Sequence, residues 1–279
     1  MTAHVLEVDT MFHAKALIKR GIKQSMRRAG YHIESIQARR DFGVMYQRAT
    51  EALLYDRLHR VGPAFFFLQI GANDGVSFDW LHEFVTSNRV AGVVVEPLSD
   101  FFAALCHNYR HHPQVVPVNA AIHRTAREVD IYRVDPKAKG LPSWTKGIAS
   151  VDPNHHRRSG TPSENIIVER VRCITMQELL EQQAITHVDY LQIDTEGYDS
   201  EILGMIDYSV FKPSIIKFEH QMEAGIMSRE TFQKCFDTLY RAGYYVIMDR
   251  YDAVAYLPPS TEGSVSSVSS PAPTLLAGV

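Results

Sequence analysis

Two apolar runs in this 279-residue chain end in side chains that can move protons. VDYLQID continues through Asp194 into Thr195 and Glu196, and SIIKFEH closes on Glu219 and His220. Each run is short, rich in β-branched or aromatic residues and bounded by turn residues, which reads as a buried strand. If the two strands are neighbours in a parallel sheet, their carboxyl ends bring three carboxylates and an imidazole together. Such a group suits deprotonation of a weak nucleophile such as a hydroxyl, which keeps its proton at neutral pH. Asp194 or His220 is the favoured base, with the others orienting it or the acceptor. Plainer roles compete: Asp194 as a turn cap, Glu196 as a first-turn acid beside a helix dipole, and Glu219 with His220 as a hydrogen-bonded pair. A divalent cation in the group is an alternative that the ligand spacing does not favour, so no metal ligand is assigned.

A second cluster lies upstream, in FFFLQIGANDG. An apolar strand ends at Gln69 and Ile70 and runs into Gly71, Ala72, Asn73, Asp74 and Gly75, with a helix expected from about Ser77. Glycine lets the backbone come close to a ligand at the carboxyl end of a strand, and a following helix points free N–H groups at the same place. A dinucleotide fingerprint needs a second glycine where Asn73 stands, and a P-loop needs a G-K-[ST] that is missing. The remaining G-x-x-x-G pattern suits S-adenosylmethionine, which has no pyrophosphate and whose amino-acid moiety needs polar side chains. Glu96 ends the next strand, in AGVVVEP, at the distance expected of a ribose-binding acid, with Pro97 beside it. Asn119 and Ala120 end the third strand, where an adenine-contacting group is expected, with a plain turn asparagine as the competing reading.

With IGANDG, VVVEP, VNAAI, VDYLQIDTEGYDSEIL and IIKFEH in view, the segment from about Phe65 to His220 resembles the FkbM-type methyltransferases. The resemblance implies a class I methyltransferase fold, S-adenosylmethionine as methyl donor, and O-methylation of sugars or natural products. Carried across, Gly71, Asn73 and Gly75 would line the donor's methionine end, Glu96 its ribose, and Asp194 and Glu196 the reacting methyl. Gln69 departs from the acid that many members carry there, which leaves the donor's amino group to Asp74 or to backbone carbonyls. Ser150 stands where the family often has a serine.

The elements that must position these residues alternate. Helical candidates SFDWLHEFVTS, SDFFAALCHNY, TMQELLEQQ, DSEILGMI and RETFQKCFDTLYRAG separate the apolar runs, so the expected fold is α/β with a mostly parallel sheet covered on both faces. YYVIMDRYDAVAYL reads as a closing antiparallel hairpin turning at Asp249–Asp252. The methyltransferase domain is expected over residues 61–257, between a basic helical extension (1–60) and a disordered Ser/Pro-rich tail (258–279). Residues 133–165 are too long for an ordinary crossover and offer Trp144, Ser150, His155 and Arg157 for an acceptor.

The net charge of −3 gives no support to nucleic-acid binding, which usually needs a strongly basic domain. Cys106, Cys173 and Cys235 are scattered and read as reduced thiols. No signal peptide or spanning segment is evident, so the expected location is cytoplasmic. The basic amphipathic stretch from Met11 could rest at the inner membrane face. A small-molecule, glycan or glycolipid acceptor is therefore the expected partner. Two competing readings are a non-catalytic donor-binding or membrane-docking module and, on fold grounds, an NAD-dependent oxidoreductase.

Overall fold

In the computed structural model, which describes residues 36–77 and 79–258, the expected apolar runs become strands and most of the expected helical stretches become helices. The chain divides into two compact units, Met1–Ala49 and Thr50–Val279. In the first, the described residues are helical, the opening part of α1 (Ile36–Val61). The basic amphipathic stretch and the Ser/Pro-rich tail lie outside the described residues, apart from Pro258.

From α1 the chain runs through β1 (Phe66–Ile70), α2 (Leu81–Asn88), β2 (Ala91–Val95), α3 (Ser99–Asn108) and β3 (Val115–Val118). Then come β4 (Ala121–Ile122), β5 (Glu128–Val134), β6 (Ala149–Ser150) and β7 (Ile166–Ile174). α4 (Met176–Gln182), β8 (Tyr190–Ile193), α5 (Asp199–Leu203), β9 (Ile215–Glu219), α6 (Arg229–Arg241), β10 (Tyr245–Met248) and β11 (Asp252–Tyr256) complete it. Seven strands form one sheet in the order β10-β11-β9-β8-β1-β2-β3. β9, β8, β1, β2 and β3 are mutually parallel, and β11 alone runs against the rest. This is the class I methyltransferase sheet, and its reversed strand comes from the expected hairpin, which turns where Asp249 Oδ1 accepts the N–H groups of Tyr251 and Asp252.

Short caps and apolar faces set the helices. Thr175 and Glu178 close a reciprocal capping box at the start of α4, and Ser228 caps α6 by accepting the Thr231 N–H. One face of the sheet supplies Leu68, Ile70, Val93, Val95, Leu191, Ile193, Ile216 and Phe218 to a core shared with Leu179, Ile202 and Leu239 from α4, α5 and α6. Across the sheet, Asp189 ties in α1 by accepting from the Arg57 guanidinium at 2.7 Å. All three cysteines are free. Among the described residues no helix is long and apolar enough to cross a membrane.

Two features depart from the sequence expectation. The helix after the glycine turn begins at Leu81, not near Ser77, because Asp74 Oδ1 accepts the Val76 and Ser77 N–H groups and holds a turn there. Between β3 and β8 stands a second sheet, β4-β7-β5-β6. Its long strands mix charged and apolar residues, so they escape a search for continuous apolar runs. Leu98, Ile131 and Val171 pack together beneath it.

Candidate active site

Strand register sorts the polar side chains into rows. Gln69 of β1 lies opposite Gln192 of β8, and Gln192 opposite Lys217 of β9. Two residues further along, on the same face because side chains alternate, come Gly71, Asp194 and Glu219, and Asp252 of β11 pairs with Glu219. A row of amides and one ammonium thus underlies a row of acids, with a glycine where the acids reach β1. That glycine is dictated by space. Gly71 has φ +81°, and a Cβ on it would lie 1.7 Å from the Asp194 carbonyl oxygen. The two backbones are in contact, and a cavity of about 440 Å³ lies against them, lined on this side by Gln69, Gly71, Ala72, Asn73, Asp194 and Glu196.

The loop is fixed from β2. Gly71 and Ala72 both donate to the Val95 carbonyl at 3.0 Å. Glu96, 5% exposed, accepts the Asn73 N–H on Oε2 at 2.8 Å and the Leu98 N–H on Oε1 at 2.9 Å. Glu96 lines the cavity, as do Pro97 and Ala120. Asn119 stands outside the wall and clamps the turn, donating to the carbonyls of Glu96 (2.9 Å) and Pro97 (3.0 Å). Asp74 and Gly75 also stand outside it. Asp74 serves its own turn, and a Cβ on Gly75 would meet Leu105 and Tyr109, so that glycine admits α3.

Asp79, Gln192 and Lys217 are polar lining residues beside this row that sequence reasoning missed. Asp79 accepts from the side-chain amides of both Gln69 and Gln192, the latter at 3.3 Å, and from the Leu81 N–H at 2.9 Å where α2 begins. Tyr190 locks Gln192 by donating to its Oε1 at 2.8 Å. Gln69 Oε1 is buried and finds no partner among the described residues, an acceptor facing unfinished business. Lys217, the third, reaches Asp252 at 3.0 Å. A lysine in the middle of the otherwise apolar IIKFE was the available signal, because such a strand position tolerates a charge only when it is paired.

The acids differ in setting. Asp194 and Glu196 line the cavity, whereas Glu219, 8% exposed, sits behind them. Burial and then Glu196 push Asp194 well above the ordinary carboxylate range, against the pull of Lys217. Glu219 is driven up by burial and by the Asp194 charge. Asp199 does what a cap does: fully buried, it accepts the Thr195 N–H at 3.2 Å and its hydroxyl at 2.9 Å, which closes the IDTEG turn. His220 is buried away from the cavity. Its Nδ1 accepts the Met222 N–H at 3.3 Å and its ring sits edge-on to Phe232. Burial holds its pKa down. The fold therefore brings Asp194, Glu196 and Glu219 together and leaves His220 out.

The 133–165 segment folds over this end. The Ser150 hydroxyl donates to the Glu196 carbonyl at 2.7 Å, and His155 Nε2 lies 3.1 Å from Glu196 Oε2. Trp144 lines the cavity and is half exposed. Arg157 points to solvent; Arg158 lines the wall instead, paired with Asp152 at 3.1 Å. On the opposite wall Phe101 carries the buried Arg133 guanidinium 4.6 Å from its ring centre, which ties the second sheet to α3.

Buried acids make stability fall with rising pH. Burial raises Glu96 to about 7 and Asp199 to about 6, so between about 4.5 and 7 the native state holds protons that the unfolded chain has released. The thermal midpoint is expected to drop across that window, and Glu96→Gln to flatten the decline. A midpoint that climbs steadily from pH 5 to pH 7 would contradict this.

Residues 69–246 match the family model described as the methyltransferase FkbM domain. No curated protein matches the sequence. Among solved structures the chain is similar to the Methanococcus jannaschii fibrillarin pre-rRNA processing protein, at 11% identity over 70% of this chain and 67% of that one, with a TM-score of 0.39. It is similar to the O-methyltransferase from Bacillus cereus in complex with SAH at 8% identity, 85% and 97% coverage and a TM-score of 0.37. A putative caffeoyl-CoA O-methyltransferase from Staphylococcus aureus gives 13%, 87% and 100%, and 0.41. The fold class rests on the strand order β10-β11-β9-β8-β1-β2-β3.

Proposed function

Because the chain belongs to the methyltransferase FkbM domain family and is thus an S-adenosylmethionine-dependent methyltransferase, we propose that it methylates a hydroxyl of a sugar, glycolipid or natural-product acceptor. The observation that carries the oxygen acceptor is the row of acids beside Gly71. A hydroxyl must lose its proton as it attacks, and Asp194 lines the cavity where the donor's methyl would arrive. The O–CH₃ bond forms as the S–CH₃ bond breaks, sulfur keeps the electron pair as a neutral thioether, and the proton passes to Asp194 and on to water. In-line displacement also demands alignment and a dry site. Glu96 would grip the ribose hydroxyls, Gln69 and Asp79 the donor's amino group, and Trp144, Ser150 and His155 would shape the acceptor side.

Calorimetric titration with S-adenosylmethionine, followed by transfer of a labelled methyl group to lipid, polysaccharide and small-molecule fractions of cell extract, tests the reading. One-to-one donor binding and labelling of a hydroxyl-bearing product are expected. Binding of NAD in place of the donor, or label found only on nitrogen, would sink it. Glu96→Gln is expected to weaken the donor about tenfold, since a charged acceptor contributes roughly 1.5–3 kcal/mol and a neutral one about half of that. An unchanged affinity in calorimetry would remove Glu96 from the ribose.

A further inference from the structure

We propose that Asp194, Glu196 and Glu219 together hold one divalent cation through carboxylate oxygens, at the floor of the cavity. Among the described residues, these three can each offer a carboxylate oxygen such that all the oxygens lie within 4.8 Å of one another. Oxygens sharing one cation at about 2.1–2.4 Å are at most roughly 4.2–4.8 Å apart, so the spread fits Mg²⁺, Mn²⁺ or Ca²⁺. The convergence is invisible in sequence spacing. Strand register puts Asp194 beside Glu219, and the left-handed turn at Glu196 (φ 52°) and Gly197 (φ 111°) folds the third acid back toward them.

The independent mark of a ligand is Glu219. The residue is 8% exposed, its Oε1 accepts from the Gln221 amide, and its Oε2 is buried without a partner among the described residues. A buried carboxylate oxygen with nothing to accept is costly, and a cation between it and the two cavity-facing acids satisfies it. The nearby ammonium is already engaged, since Lys217 pairs with Asp252 at 3.0 Å, and of the three acids His155 reaches Glu196. With no thiolate or imidazole in the trio, hard oxygen-seeking cations are the chemical class. Resting on the O-methylation reading, the cation's role is to receive the acceptor hydroxyl from the open side and acidify it, while Asp194 keeps a second oxygen for the proton.

The test is a Mn²⁺ titration of the chelator-stripped full chain, read from loss of the free aqua-ion's electron paramagnetic resonance signal. One Mn²⁺ per chain with a Kd below about 1 mM is expected. Glu219→Gln and Glu196→Gln should each weaken it at least tenfold, while Glu83→Gln on exposed α2 leaves it unchanged. Circular dichroism checks each fold; if Glu219→Gln does not fold, Glu196→Gln carries the comparison. No stoichiometric binding at 1 mM, or wild-type affinity in the folded variants, overturns the site. Titrating S-adenosylmethionine into the same preparation separates the two ideas: donor binding without Mn²⁺ removes the cation and leaves the methyltransferase, and Mn²⁺ binding without donor does the opposite.

Discussion

Asp194→Asn should lower methyl transfer by about 10²–10⁴-fold while leaving S-adenosylmethionine affinity within about threefold. The carboxylate and the amide have nearly the same shape, so the contact of Gly71 with the Asp194 backbone survives. Only the ability to take a proton, and to ligate a cation, is removed. In the cation-free protein burial and Glu196 raise Asp194, so its base form is lost as pH falls through a value above the usual carboxylate range. The rising limb of the pH–rate profile should therefore sit above pH 4. Asp194 is surrounded by Glu196, Glu219, Asp199, Asp252 and Lys217, so that limb belongs to the group and not to one residue. Labelled-methyl transfer under single-turnover conditions, beside donor calorimetry, checks both halves. A variant that transfers at the wild-type rate would remove Asp194 from the chemistry, and one that cannot bind donor would make it a structural residue.

The sheet was legible because its parallel strands are apolar on both faces, and IDTEG and FEH stood out because acids follow such runs. His220 shows where reading stops. Adjacent in sequence to Glu219, it falls on the other side of the strand, and alternation alone predicts that the two cannot face one cavity. Asp79 and Asp74 exchange parts for a similar reason. Both follow the glycines, but Asp74 spends its oxygens on Val76 and Ser77, which delays α2 and brings Asp79 in beneath Gln69. Such local competition for N–H groups is settled by geometry that composition does not encode. The second sheet was missed because Glu169, Arg170 and Arg172 interrupt the apolar run of β7.

Gly71→Ala should cost the most stability of any glycine substitution in the turns around β1, and should abolish donor binding with it. Three left-handed glycines form a graded series. Gly62 (φ +57°) has nothing within 4 Å of an added Cβ, so Gly62→Ala meets only the backbone preference, about 1–2 kcal/mol. At Gly75 (φ +76°) the methyl meets Leu105 Cδ1 at 2.6 Å and Tyr109 Cε2 at 2.9 Å, side chains that can turn aside at a further cost. At Gly71 the obstacle is the Asp194 carbonyl at 1.7 Å, which moves only if β1 and β8 separate and the Asp194 N–H loses the Ile70 carbonyl it reaches at 2.9 Å. Strain and overpacking together predict roughly 3–5 kcal/mol. Because the same carbonyl belongs to Asp194, the proposed base, the loop and the acid must shift together, so affinity and transfer should fall in step. Urea unfolding of the three variants, with donor calorimetry on those that remain folded, gives the ranking. Equal losses at Gly62 and Gly71 would mean that the two backbones do not touch, and the route by which the sheet brings donor and acid together would have to be sought elsewhere.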